Sequence, residues 1–171
     1  MQTWDALRAR RNVRQFTPQP IPPDDLDRIL EAARRTPSSK NSQPWDFVVV
    51  TDRDKLVALA QVWTYGGHVA HSAATVAVVA HETPDGHLRD AVQYDLGQAT
   101  MSIMIAAADL GIGSGHSAVG DQDLARRLLG LPADRECLYL VALGYPADRP
   151  LRPIANPTRR PFDEVVHRDH W

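Results

Sequence analysis

Cysteine is almost absent from this chain. Cys137 is the only one, and it lies inside the apolar run "ECLYLVALG", so neither a disulfide framework nor a cysteine metal site is available. A buried strand position is the reading that remains. Lysine is nearly missing too: of 19 basic residues only Lys40 and Lys55 are not arginine. Arginine offers planar, paired contacts to phosphate and carboxylate, although a general arginine bias in composition would look the same. With a net charge of -2 the chain has no global field to draw nucleic acid or an acidic membrane surface. No window approaches the roughly 18 apolar residues of a membrane span, and the N-terminal "MQTWDALRARR" has no apolar core of a signal peptide. A cytoplasmic protein, binding neither nucleic acid nor membrane, is the expectation.

Several catalytic signatures are missing as well. His68 and His71 stand three apart but lack the H-E-x-x-H pattern, and no second pair of ligands follows, so no metal site is expected. There is no G-x-S-x-G elbow, no P-loop and no Cys/His pair, which leaves hydrolysis and phosphoryl transfer without support. "GIGSGHS" has the G-x-G spacing at Gly111, Gly113 and Gly115, yet it follows a helix, whereas a dinucleotide fingerprint follows a strand and opens a helix. Here Gly111 reads as a helix C-cap leading into a flexible loop whose main-chain N–H groups can approach a ligand.

What is present is a chain of 171 residues, 43% hydrophobic, enough for one compact domain spanning residues 1–171. Residues 4–11 read as a short helix. "IPPDDLDRILEAARR" reads as a longer one, with Pro23 and three acids at its start, arginines at its end, and Leu26, Ile29, Leu30 and Ala33 on one face until Thr36-Pro37 stops it. A strand is expected over 46–51, a helix capped by Asp52 to about residue 62, a buried strand over 73–80 and a turn at "TPDG". The longest helix, about 88–110, carries the stripe Val92, Leu96, Ala99, Ile103, Ala106 and Leu110 and a second apolar face of Met101, Met104, Ile105 and Ala108. A helix apolar nearly all round in so small a domain points to a subunit interface. A short helix at "DQDLARRLLG", a third buried strand at "ECLYLVALGYP" and a proline-rich tail ending in Trp171 complete a mixed α/β chain.

Three clusters remain as candidates for binding. Arg10, Arg11 and Arg14 concentrate positive charge suited to a phosphate monoester, though such a trio is more often a solvated basic face. Arg159 and Arg160 form a second pair, which alone reads as surface charge. "RTPSSKNSQPWDFVVV" places Ser38, Ser39, Asn41 and Gln43 between a helix stop and a buried strand, stiffened by Pro37 and Pro44. It is equally a capped turn or a ligand loop.

Taken in order, "RRNVRQF", "LDRILEAARRTPSSKNSQPWDFVVV", "LGIGSGHSAVG", "GYP" and "RRPFDEVVH" with its terminal Trp resemble the FMN-dependent nitroreductase family over nearly the whole chain. The resemblance implies an α+β fold with a mixed central sheet flanked by helices. It also implies an intertwined homodimer, a tail that wraps the partner, and FMN in a groove made by both subunits. On the family's pattern Arg10, Arg11, Asn12 and Arg14 hold the flavin phosphate and ring edge. Pro37, Ser38, Ser39, Asn41 and Gln43 reach the FMN of the other subunit, His116, Ser117, Ala118 and Val119 lie beside the flavin ring at N5, and Arg159 and Arg160 close on the phosphate.

Asn12 stands where the family usually has serine. Gly66 and Gly67 fall where many relatives carry a flavin-contacting asparagine, and the short chain leaves little room for a lid. The implied reaction passes a hydride from NADH or NADPH through FMN to a nitroaromatic, quinone or similar small acceptor, ping-pong, with no catalytic side chain required. A flavoenzyme of the same fold with another reaction (dehalogenation, dehydrogenation or flavin breakdown) and a non-catalytic flavin-binding protein are the rivals.

Overall fold

The structure is a computed structural model that describes residues 1–83 and 86–171. Pro84 and Asp85, within the turn expected at "TPDG", lie outside the described residues. Two helices open the chain, α1 (Thr3–Ala9) and α2 (Pro23–Arg34), the second begun by Pro23 where its missing N–H costs nothing. Then come β1 (Asp46–Val50), α3 (Arg53–Leu59), β2 (Ala74–His81), α4 (His87–Asp109), β3 (Gly113–Ala118), α5 (Gln122–Leu129) and β4 (Arg135–Gly144). The Asp52 carboxylate caps α3 by accepting the Lys55 N–H at 2.9 Å.

The four strands form one sheet in the order β1-β2-β4-β3. Every ladder between them is antiparallel, with Val48 opposite Ala77, Val76 opposite Val141 and Gly115 opposite Ala142. The α+β class holds. Among the described residues the sheet's mixed character is confined to one isolated parallel bridge, Asn12 to Ser114.

Both faces of the sheet are covered, and β2 shows why its sequence is apolar without alternation. Val76, Val78 and Ala80 pack with Ile29, Leu96, Ala99 and Ile103 of α2 and α4. Ala77 and Val79 point the other way, toward Leu56 and Leu59 of α3 and Ala125 of α5. Cys137 is buried in this second layer, which pushes its thiol pKa up to about 12.

The stretch expected to be a flexible loop after the long helix is instead β3. Its glycines disfavour a strand, but close packing selects one: a Cβ on Gly113 would sit 2.7 Å from Val13 Cγ2, and a Cβ on Gly115 would collide with the Val13 carbonyl. Gly111 is the expected helix stop, at φ 75°.

Helix α4 is buried along Leu96, Ala99, Ile103 and Ala107, yet its far side, with Gly97, Met101 and Ile105, stays partly open, and Tyr94 is exposed. The tail is exposed from residue 155 onward, with Phe162 70% and Trp171 98% accessible. Among the described residues no helix is long and apolar enough to cross a membrane, and no His/Cys/Asp/Glu group could hold a metal ion.

Candidate functional site

Of the three clusters, the arginines at residues 10–14 lie along the outer edge of β3, beside the segment from His116 to Ala118. The Val13 N–H donates to the Ser114 carbonyl at 2.9 Å, laying residues 10–14 beside the strand. Because β3 ends the sheet, alternate residues turn their main-chain groups away from β4. Ser114 is one of them, so the N–H groups of His116 and Ala118 point off the same edge. Ser117 has the opposite parity and is buried, its hydroxyl donating to the Ala118 carbonyl at 3.0 Å. Ala118 and Val119 are half-buried and His116 is exposed.

A cavity of about 270 Å³ adjoins this seam, lined by Arg10, His116 and Tyr139 together with Gly97, Thr100, Met101 and Met104 of α4. The Thr100 hydroxyl in its wall is buried and has no hydrogen-bond partner among the described residues. Apolar lining, one cation and one unanswered hydroxyl suit a flat ring system carrying polar edges and an anionic tail.

The arginines divide in role. Arg10 donates to the Asn12 side-chain carbonyl at 3.3 Å, and Arg14 is exposed. Arg11 is occupied: it donates to the Asp148 carboxylate at 2.7 Å and the Arg149 carbonyl at 2.8 Å, which anchors the start of the tail. Asp148 has its pKa lowered, first by that Arg11 hydrogen bond. Arg159 and Arg160 keep local partners, the Thr158 carbonyl at 2.7 Å and Glu164, and among the described residues no hydrogen bond joins them to residues 10–14.

The serine-asparagine loop folds elsewhere. Ser38 accepts the Gln43 N–H on its hydroxyl at 2.9 Å, Gln43 Nε2 donates to the Asn41 carbonyl at 3.3 Å, and Thr36 donates to Ser102 at 2.8 Å. The Ser39 N–H donates to the buried Asp95 carboxylate of α4 at 2.9 Å. Pro37, Ser39, Asn41 and Gln43 are exposed. At about 100° per residue, Asp95 and the group Gly97, Thr100, Met101 and Met104 lie on nearly opposite sides of α4. The loop and the cavity of one chain therefore face apart.

Residues not singled out in the sequence also matter here. Asp95 anchors the loop, and its signal in the sequence is an acid beside the apolar stripe of Leu96, Ala99 and Ile103. His68 is 7% exposed beneath β3, its Nε2 3.3 Å from the Gly115 carbonyl. Burial is the main cause of its lowered pKa, with the Arg14 charge adding to it. Gly66 and Gly67, beside it in the chain, carry no side chain to reach a ligand, and a Cβ on Gly66 would meet the Ala60 carbonyl at 2.8 Å.

An α+β domain with an arginine-flanked groove along a sheet edge is thus in place, and comparison with known proteins gives it a family. A model described as the nitroreductase family matches residues 7–65 and 63–145. A protein of Archaeoglobus fulgidus, provisionally named NADH dehydrogenase/NAD(P)H nitroreductase, is 33% identical over 166 residues, covering 95% of this chain and 94% of the relative. The oxygen-insensitive NADPH nitroreductase of Salmonella typhimurium is 31% identical over 183 residues, covering 99% of this chain and 74% of its own. Among solved structures, the NADPH:FMN oxidoreductase of Vibrio harveyi in complex with NAD+ superposes with a TM-score of 0.81 at 27% identity, covering 97% of this chain and 76% of that one. The chain belongs to the nitroreductase family.

Proposed function

We propose that residues 1–171 form one FMN-binding oxidoreductase unit. It works as a homodimer and passes reducing equivalents from NADH or NADPH to a nitroaromatic, quinone or similar small acceptor by a ping-pong mechanism. The observation that carries this reading is the seam between residues 10–14 and β3, where Arg10, His116 and an apolar cavity meet at the strand's outer edge. The nitroreductase and FMN-oxidoreductase names of the relatives agree with it.

The residues present fit FMN. Arg10 and Arg14 are free of carboxylate partners at hydrogen-bond distance among the described residues and suit the phosphate, with Asn12 between them. Arg11, tied to Asp148, supports the segment. Thr100 has a hydroxyl awaiting a partner, and Met101, Met104 and Tyr139 supply an apolar wall. The edge N–H groups of His116 and Ala118 are placed to donate to a ring nitrogen or to stabilise negative charge upon it. Bound FMN would supply the two-electron chemistry, taking up a hydride from the nicotinamide and releasing it to the acceptor from the same site. This chain need contribute only binding, orientation and fixed dipoles.

Two mismatches within one chain support the dimer. A cavity of about 270 Å³ lies below the roughly 300–1,000 Å³ of ordinary ligand pockets, which agrees with a site that one chain supplies in part. The loop with Pro37, Ser38, Ser39, Asn41 and Gln43 faces away from its own cavity and is free to complete that of a second copy. The partly open face of α4 and the exposed tail with Arg159 and Arg160 are the surfaces such a copy would cover.

Anaerobic mixing of the FMN-loaded protein with NADH and with NADPH tests the reading. Bleaching of the flavin by at least one nucleotide, and reoxidation by an added quinone or nitroaromatic, is expected. Bleaching by neither would leave a flavin-binding protein without reductase activity.

A further inference from the structure

The loop at residues 38–43 is built against its own preferences. Lys40, Asn41 and Gln43 take φ of 52°, 55° and 48°, a region where Cβ crowds the main chain and which lysine and glutamine seldom enter. Such residues persist only where their surroundings over-determine them, and they gather at ligand clamps. All three are exposed, so core packing does not impose the geometry.

Beside the Thr36–Ser102 bond at its start, the loop is held from α4 by the Asp95 side chain. Asp95, 3% exposed, accepts the Ser39 N–H at 2.9 Å on one carboxylate oxygen and Gln98 Nε2 at 3.3 Å on the other. Among the described residues no cation pairs with it. A buried carboxylate met only by neutral donors is unfavourable beside an apolar residue, and Asp95 shares the core side of α4 with Ala99 and Ile103. Folding of the helix alone would favour leucine or alanine there.

We infer that Asp95 is a positioning residue for the cofactor site: through the Ser39 N–H it fixes the left-handed loop that presents Ser38, Ser39 and Asn41 to the FMN of a second subunit. The inference rests on the FMN reading above. Asp95 touches no cofactor itself. Its effect is to have the loop formed before binding, so that FMN need not order it.

Two measurements test this. In the wild-type apoprotein, hydrogen exchange at the Ser39 amide is slow, and Asp95→Ala or Asp95→Ser, whose side chains are too short to reach, abolish that protection. The same two variants bind FMN more than about tenfold more weakly, the size of one hydrogen bond to a charged acceptor. Asp95→Asn, whose side-chain carbonyl can still accept the N–H, stays within about threefold of wild type by the same reasoning. A fast-exchanging Ser39 amide in the wild type overturns the inference even if every variant misfolds. Unchanged affinity in the Ala and Ser variants overturns it, and so does a loss with asparagine equal to that with alanine. If the wild type binds no FMN at all, the functional reading fails, while the exchange experiment still decides whether Asp95 sets the loop.

Discussion

The N–H of Val13 and the carbonyl of Ser114 lie 2.9 Å apart, and that bond sets the arginine-bearing segment against the edge of β3. The approach is close enough that only glycine fits at position 115, because any Cβ there would collide with the Val13 carbonyl, with the His68 ring Cδ2 also 3.1 Å away.

Gly115→Ala is therefore expected to push residues 10–14 off the strand. Overpacking of this kind costs about 1–3 kcal/mol, read as a lower urea midpoint. FMN affinity should fall alongside, since Arg10 and Asn12 move with Val13. An alanine variant as stable and as tightly loaded as wild type would show that the seam yields easily.

Arg11 and Asp148 should behave as a structural pair rather than as cofactor ligands. Arg11 is 14% exposed and Asp148 42%, so solvent screens part of the attraction. A double-mutant cycle of Arg11→Ala and Asp148→Ala should return a coupling of about 0.5–1 kcal/mol in stability. Arg14→Ala, by contrast, should weaken FMN binding with little effect on unfolding. The lowered pKa of Asp148 means the pair's contribution is present above the ordinary carboxylate range and is lost as pH falls through the folded value.

His68 gives the opposite kind of residue the same direction of pH dependence. Its imidazole is held neutral by burial, so below its ordinary value of about 6.5 the unfolded chain takes up a proton that the folded chain refuses. Stability from this group is full above that pH and declines below it until the folded value is reached. Between about pH 7.5 and about pH 5.5 the wild type should lose more stability than His68→Gln, measured by urea unfolding. An equal loss in both proteins would remove His68 as the cause.

Cys137, with its thiol pushed up to about 12 in the second core layer, should not react with a thiol reagent in the native protein. Full reaction is expected after denaturation, since the thiolate is the reactive form.

The helices were legible because their signals are local: the proline and acids opening α2, the Asp52 cap of α3, the long apolar period of α4. The strand β2 was legible as a continuous apolar run, since both faces of the sheet are covered. β3 was not, because "GSGHSA" is poor strand material, and what makes it a strand is its ladder with β4, while Val13, about 100 residues away in the sequence, leaves room only for glycine at 113 and 115. The site was half legible. Residue types pointed to an anion and a ring, and within one chain the structure joins only residues 10–14 to β3. Which arginines are free could not be read, since Arg11 meets Asp148 only in the fold. Nor could Asp95 be read as an anchor, because a bond to a main-chain N–H leaves no mark in the sequence of the loop it holds.

The central claim is that this chain holds FMN. The visible absorption spectrum of the purified protein, followed by release and identification of the chromophore, tests it most directly. A flavin spectrum with FMN as the released compound, or its restoration when FMN is added to apoprotein, is expected. A colourless protein that cannot be reconstituted with FMN would contradict it.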